Sequence, residues 1–293
     1  MSVSSAAAAL PAPAHRPWRM LWLRFARYRA AQVGLAVTAL LIAAAVVGPW
    51  LMRHDPLAVN PVKRLLPPSR EHVLGTDELG RDLLTRLVYG ARISLRLGFI
   101  SVGIALLLGL PAGLASGYYR GWVDLFFMRA VEVIQCLPPL LLAIVVVSVI
   151  GTGLVNAMIA VGISQAPTFA RLIRGQVLVV REMDYVEAAR AVGARDALLM
   201  RRHILPNCLA PLIVQATLQV ATALLTAASL GFLGLGAQPP DPEWGAMLSR
   251  ARQFLRTAPM VATYPGLAIL VTVLGLNLVG DGLRDALDPR LKR

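Results

Sequence analysis

Six separate stretches of about 20 mostly apolar residues constrain this chain more than any other feature of its sequence. A helix of that length matches the hydrocarbon thickness of a lipid bilayer. The 293 residues are 57% hydrophobic and only 15% charged, whereas soluble domains are typically about 25% charged. The sequence therefore predicts an all-α, polytopic membrane protein.

The six predicted transmembrane helices share high apolar content and small residues that let helices approach closely. They are Val33–Met52, Ile93–Ser116, Phe127–Ile150, Leu154–Ala170, Cys208–Leu235 and Met260–Val279. Several contain proline, which buried transmembrane helices tolerate as kinks because neighbouring helices satisfy the freed carbonyls. The first stretch is too long for the apolar core of a signal peptide and no small-residue cleavage site follows it. We therefore expect a retained helix over residues 33–52.

The remaining segments are predicted to lie outside the bilayer. Residues 1–32 form an N-terminal tail, and its Ala-, Ser- and Pro-rich start is expected to be disordered. Residues 53–92 form a proline-rich loop and then a helix along the membrane interface, because apolar residues recur with helical spacing between arginines. A core over residues 93–281 contains the charge-rich segment 184–207, and residues 282–293 form a C-terminal tail.

The distribution of Lys and Arg predicts the orientation. With six spans, the two tails, the second loop with Arg120 and Arg129, and the interval 171–207 that contains segment 184–207 share one side and hold 18 of the 29 basic residues. Positive residues favour the cytoplasm, so both termini and segment 184–207 are predicted to be cytoplasmic. The basic residues behind the net charge of +13 cluster beside the apolar spans. We therefore expect them to contact the lipid bilayer, and we expect no binding of nucleic acid.

Signatures of catalysis and metal binding are absent from the sequence. The chain has only two lysines and no Walker phosphate loop, no His-Glu-x-x-His and no Gly-x-Ser-x-Gly. Its two cysteines, Cys136 and Cys208, lie in apolar surroundings typical of buried thiols. No two of its four histidines are a helical turn apart, so we expect no metal site. We predict no enzymatic activity and no cofactor for this chain.

The predicted spans are nearly free of ionisable groups. Glu132, Arg96 and Asp281 lie near the ends of their spans, where pairing or snorkelling explains them better than an ion relay does. Ion-coupled carriers usually keep such groups within the membrane. An energy source in another protein is therefore the natural inference.

Segment Asp184–Asn207 is the longest polar interval in the second half of the chain. Its composition favours helix, with a break at Gly193 and an end at Pro206. We interpret it as two short helices on the membrane surface, presented to a partner in the water.

This segment resembles the signature of the membrane subunits of bacterial ABC importers. The matching residues are Glu187, Ala188, Ala189, Gly193, Leu205 and Pro206. In that family the signature forms a coupling helix that docks into a cleft of the cytoplasmic ATPase, so the resemblance implies an ATPase-docking role for these residues. His203 stands where the family usually has an apolar residue.

Further motifs resemble the dipeptide, oligopeptide and nickel branch, and specifically the permease with the Gly-Thr-Asp-x-x-Gly-Arg-Asp segment. They are Gly75–Asp82, Tyr89–Leu95, Arg202–Asn207, Phe232–Gly236, Pro239–Gly245 and Gly280–Pro289. The chain departs from this pattern at Glu132 and Leu137, where relatives often have Asp and an aromatic residue.

The resemblance implies a type I importer permease core in the bacterial inner membrane. Its partners would be a homologous permease, two cytoplasmic ATPase subunits that hold ATP and Mg²⁺, and an extracytoplasmic substrate-binding protein. Relatives move dipeptides, longer peptides, glutathione or nickel complexes. The sequence does not choose among these substrates, and we favour short peptides on prevalence.

Several alternatives remain open at this point. Gly75–Asp82 is either an Asx-type turn with Asp77 as a helix cap or a binding element. Glu243–Phe254 is either an exposed interfacial helix anchored by Trp244 or a contact for a periplasmic partner. The Asp281–Asp288 cluster is a solvated end or an ATPase contact. A self-contained secondary transporter is the alternative function, and a membrane scaffold without transport is a third.

Overall fold

The computed structural model describes Phe25 and residues 28–287, and its α-helices confirm the all-α prediction for that part of the chain. The predicted disorder of the N-terminal tail and the last residues of the C-terminal tail lie outside the described residues. In chain order the helices are α1 (Arg29–Leu51), α2 (Leu83–Tyr119), α3 (Gly121–Gln135), α4 (Pro139–Ile150), α5 (Leu154–Val180), α6 (Asp184–Ala191), α7 (Asp196–Phe232), α8 (Trp244–Ala251) and α9 (Met260–Leu287). Short 3₁₀ helices cover Pro61–Lys63 and Arg252–Phe254, and Leu199–Ile204 form a π-helical turn within α7.

Four helices, α1, α2, α7 and α9, are long and apolar enough to cross a membrane. The bent pair α3–α4 makes a fifth crossing if the two helices act as one span. The remaining predicted span corresponds to α5, whose 27 residues are long enough but include Arg171 and Arg174. The polytopic helical architecture is thus confirmed, and the number six stays a prediction.

The predicted span Phe127–Ile150 is wrong as a single helix. Helices α3 and α4 meet at an angle of 91°, with the break between Gln135 and Pro139. Two consecutive prolines explain the break, because proline lacks an N–H and disfavours helical geometry in the residue before it. Pro138 is accordingly extended, at φ −53° and ψ 141°, and Pro139 opens the new helix.

The predicted interfacial helix before Ile93 is not a separate element. Helix α2 begins at Leu83 and runs without interruption for 37 residues to Tyr119. Leu83, Ala91 and Leu95 are already buried in a hydrophobic cluster with α7, α8 and α9. A helix that buries these residues within the protein does not lie flat on a membrane surface. The helical spacing of the apolar residues therefore reflects packing in the protein core.

The most extensive contact between two helices of the described chain joins α2 to α5. Gly109, Gly113 and Gly117 lie one turn apart on the face of α2 that meets α5. A Cβ atom on Gly113 would lie 2.4 Å from the carbonyl oxygen of Ala170. Small residues at this spacing let two backbones approach closely. The main core extends from this contact to α4, α6 and α7.

Candidate coupling surface

Helix α6 is anchored to the core by one face and exposed on the other. Val186 is fully buried together with Leu199, Ile204 and Cys208 of α7. The break predicted at Gly193 is confirmed, since the chain turns there with φ +85° and the Gly193 N–H donates to the Arg190 carbonyl at 3.0 Å. Glycine adopts this left-handed conformation without a steric penalty. The segment therefore forms two helical arms joined by a tight turn.

The predicted site residues are divided between the two arms and the turn. Glu187 and Ala188 are exposed on α6, and Ala189 is half-buried against the core. Gly193 is exposed in the turn, while Leu205 and Pro206 belong to α7. Glu187 forms no ion pair with any residue that the structure describes. Its carboxylate is therefore free to receive a cation or N–H group from another protein.

The predicted end of the second arm at Pro206 is wrong. The chain stays helical from Asp196 to Phe232, and Pro206 lies near the start of the regular α-helix. The π-helical turn explains this continuity, because the Leu205 N–H donates to the Met200 carbonyl, five residues back. A wider turn leaves space for the proline ring and tolerates the missing N–H of Pro206. The second arm is thus a rigid extension of α7.

The exposed side of the segment carries apolar side chains among its charges. Val192, beside the turn, is 85% exposed. Met183, Tyr185 and Leu198 are between 41% and 46% exposed. We call these four residues, together with Glu187 and Ala188, the coupling surface. Apolar groups surrounded by charged residues are typical of protein contact sites.

The coupling surface is connected to the end of α2 by polar contacts. Arg181, just before α6, donates to the backbone carbonyl of Tyr118, and the Tyr118 hydroxyl donates to Asp196 at 2.7 Å. Arg120 pairs with Glu182 at 2.7 Å. The end of α2 is therefore bonded to the residues just before α6 and, through Asp196, to the second arm.

A second connection joins α5 to α3. The guanidinium of Arg174 donates two hydrogen bonds of 2.6 Å to the carboxylate of Asp124. Paired donation of this kind fixes geometry as well as energy. A displacement of α6 can therefore be transmitted to α2, α3 and α5 by direct contacts. The arrangement is suited to mechanical coupling.

The opposite end of the 37-residue helix α2 holds a cluster of buried charges. Asp77 accepts from the Arg81 guanidinium at 2.7 Å and lies 3.2 Å from that of Arg86. Its other oxygen accepts from the backbone N–H groups of Leu79 and Arg81. The Asx-type turn is thus confirmed, but the predicted cap is wrong: the Asp82 carboxylate accepts from the Thr85 N–H at 2.8 Å. The helix starts at residue 83, so Asp82 is in the capping position.

The expectation of an exposed helix at Glu243–Phe254 is wrong for its first turns. Trp244 and Glu243 are each 1% exposed, and Trp244 donates to the Leu87 carbonyl at 3.0 Å. The Glu243 carboxylate caps α8 by accepting from the N–H groups of Gly245 and Ala246 at 2.8 Å. Burial raises the pKa of Glu243, and these two hydrogen bonds oppose the shift. Helix α8 is therefore wedged between α7 and α9.

Comparison with known proteins agrees with this geometry. A family model described as "Binding-protein-dependent transport system inner membrane component" matches residues 109–293. A second, described as the N-terminal TM domain of oligopeptide transport permease C, matches residues 16–68. The inward-facing MetNI methionine ABC transporter has the same fold, with a TM-score of 0.55 and 23% identity over 68% of this chain and 95% of that chain.

Curated relatives are similar over nearly the whole chain. The dipeptide transport system permease protein DppC of Alkalihalophilus pseudofirmus is 48% identical, covering 94% of this chain and 91% of the relative. The glutathione transport system permease protein GsiD of Pectobacterium atrosepticum is also 48% identical, covering 94% and 92%. The chain therefore belongs to the family of binding-protein-dependent transport system inner membrane components, as a multi-pass permease subunit of an ABC importer.

Proposed function

We propose that this permease pairs with a homologous permease and two cytoplasmic ATPase subunits, and receives short peptides from an extracytoplasmic binding protein. Relatives named for dipeptide and glutathione transport support this substrate class. ATP and Mg²⁺ would be held by the ATPase subunits, and this subunit would perform no bond chemistry.

The coupling surface is the proposed ATPase contact, with Glu187, Ala188, Ala189, Gly193, Leu205 and Pro206 shaping it. The observation that carries the proposal is an exposed element whose other face is fixed in the core. Small alanines let α6 enter a cleft, Val192 and Tyr185 supply apolar contact, and Glu187 supplies one charge. Leu205 and Pro206 keep the second arm continuous with α7.

The proposed transmission starts when ATP binding closes the ATPase pair around α6. Because Arg181, which leads into α6, and Asp196 of the second arm both bind Tyr118, a displacement of the segment moves the end of α2. Helix α2 packs on α5 along the glycine face, so the two helices move as a unit and rock the path between outward and inward openings. When segment 184–207 lies in the cytoplasm, both termini are cytoplasmic as well. Residues 53–82 and α8 then lie on the side of the membrane where the binding protein docks.

A pull-down from native membranes tests the proposal. The tagged chain, extracted in gentle detergent, should recover an ATPase, a second permease and a periplasmic binding protein, identified by mass spectrometry. A Val192→Asp variant should lose the ATPase and keep the second permease, because only the coupling surface is altered. Equal recovery of the ATPase by Val192→Asp and wild type would contradict the docking assignment, and recovery of the folded chain alone would contradict the importer complex.

A further inference from the structure

The loop that joins α1 to α2 brings together three side chains suited to binding a metal ion. His54, Glu71 and His72 each place one potential ligand atom within 4.8 Å of the others. They form the one such group among the residues that the structure describes. The histidines are 18 positions apart in a loop, so helical spacing could not reveal them, and the sequence predicted no metal site.

His72 carries the strongest evidence for a ligand. Its side chain is 7% exposed, and its Nδ1 lies 3.0 Å from the Asp82 carboxylate, which is 4% exposed. A carboxylate at this distance fixes Nδ1 as the protonated nitrogen and leaves the lone pair on Nε2. Nε2 is buried and has no hydrogen-bond partner within the described chain. An imidazole oriented by a carboxylate, with its other nitrogen unpaired, is the usual arrangement of a metal-binding histidine.

The two other groups surround this unpaired nitrogen. Glu71 places Oε1 3.9 Å from His72 Nε2, and the rings of His54 and His72 have centroids 5.0 Å apart. Ligand atoms of a tetrahedral site with bonds near 2.05 Å are separated by about 3.3 Å. Small movements of His54 and Glu71 reach that distance, and their side chains, 36% and 61% exposed, have room for them.

Lys63 is the competitor at this site. Its ammonium contacts the same Glu71 oxygen that faces His72. A cation held by Glu71 must displace this ammonium, which then turns into solvent. The site also borders a pocket of about 190 Å³ lined by His54, Glu71 and Met52, which leaves room for a fourth ligand such as water.

We infer that His54, Glu71 and His72 bind a divalent transition-metal cation of the Zn²⁺ type, with Asp82 orienting His72. Two imidazoles and one carboxylate suit Zn²⁺, whereas Mg²⁺ and Ca²⁺ prefer oxygen ligands throughout. The cation would join the end of α1, three residues after Leu51, to the loop that caps α2. This site is independent of the ATPase contact, since it lies at the other end of α2.

Zinc titration of the full chain in lipid nanodiscs tests the inference. The chain carries a tag without histidine, is stripped with a chelator, and is titrated with Zn²⁺ against a chromogenic zinc indicator. We expect one zinc per chain, which also raises the thermal midpoint. His72→Asn keeps an N–H donor near Asp82 and removes the ligand nitrogen, so it should weaken binding at least tenfold. His54→Ala should have the same effect.

Two further variants distinguish a metal site from a structural histidine. His203→Ala, in the π-helical turn of α7, should bind zinc like wild type. Lys63→Met should bind several-fold more tightly, because it removes the ammonium that competes for Glu71. Absence of stoichiometric zinc binding by wild type would overturn the inference, as would equal affinities of His72→Asn, His54→Ala and His203→Ala. A Lys63→Met variant with weakened binding would contradict the competition between Lys63 and the cation for Glu71.

Discussion

At the scale of single residues, Asp77 is a counter-ion shared by two buried arginines, one of which, Arg81, also pairs with Glu78 at 3.0 Å. Arg81 is 3% and Arg86 1% exposed, and Asp77 itself is 2% exposed. Two cations held at this depth are stable only while a carboxylate compensates them, since desolvation disfavours an isolated charge. The Gly75–Asp82 motif is accordingly explained by a structural role.

Replacing Asp77 by alanine should destabilise the protein strongly. Removal of one partner from a buried ion pair typically costs about 3–5 kcal/mol, and the Leu79 and Arg81 N–H groups lose their acceptor as well. The midpoint of thermal unfolding in detergent micelles measures the effect. Asp55→Ala is the matched control: Asp55 is exposed and its carboxylate accepts one hydrogen bond, from the Leu57 N–H, so its loss should cost about 1 kcal/mol. Equal midpoints for both variants would show that the cluster is solvated.

Glu187→Lys should uncouple the transporter without affecting membrane insertion. Glu187 is exposed and forms no ion pair with a described residue, so the folded chain loses nothing by the substitution. Reversal of a charge at a specific contact places like charges together and costs several kcal/mol. We expect at least a tenfold loss of the ATPase retained on the complex, measured by quantitative co-purification. Asp55→Lys, an equal charge reversal at the other end of α2, should retain it. Wild-type retention by Glu187→Lys would contradict its place in the contact.

Residue roles were predictable where a local rule decides them. A turn at Gly193 was predictable because glycine interrupts an otherwise helical, charge-rich sequence. The structure confirms the turn. The cap was misassigned to Asp77 because both Asp77 and Asp82 precede a helical pattern, and only the true helix start distinguishes them. The burial of Trp244 and the meeting of His54 with His72 depend on tertiary contacts, which a single sequence does not encode locally.

At the scale of elements, the glycine face of α2 sets the distance to α5. Gly109, Gly113 and Gly117 are spaced four residues apart, so the three glycines form one stripe along the helix. The sequence predicted that small residues let the spans approach closely, but it identified neither this stripe nor its partner helix. Likewise, apolar runs predicted the helices, whereas the 91° break in α3–α4 and the continuity of α7 depend on how prolines are accommodated.

Gly113→Ala and Gly103→Ala should change stability in opposite directions. A Cβ on Gly113 meets the Ala170 carbonyl oxygen at 2.4 Å, so the two helices must separate, at a cost of about 1–3 kcal/mol. A Cβ on Gly103 meets nothing within 4 Å, and alanine is favoured over glycine in a helix by up to about 1 kcal/mol. Thermal midpoints of the two variants in the same detergent measure the difference. A Gly113→Ala variant as stable as Gly103→Ala would contradict the close contact of α2 with α5.

At the scale of the whole molecule, the position of buried charge bears on the energy source. Within residues 28–287, the buried side chains of the Asp, Glu, His, Lys and Arg types lie in the loop before α2 and in its first turn, with one exception; they are His72, Asp77, Arg81, Asp82 and Arg86. The exception is Glu243, at the start of α8. Residues 94–242 bury no charged side chain among those described. A proton or ion relay needs ionisable groups along the path, so the described bundle has charge at one end and none through its middle.

Transport by this chain should therefore require ATP and partner subunits. Proteoliposomes that contain the assembled complex and its binding protein should take up a labelled dipeptide when ATP is enclosed on the ATPase side. An imposed proton gradient without ATP should give no uptake, because no buried carboxylate is available in the middle of the bundle to carry the proton. The same complex with Glu187→Lys should hydrolyse ATP without uptake, or lose the ATPase. Uptake by the chain alone that follows the proton gradient would instead establish a secondary transporter, and a relay would then have to run through Glu243, whose pKa burial raises.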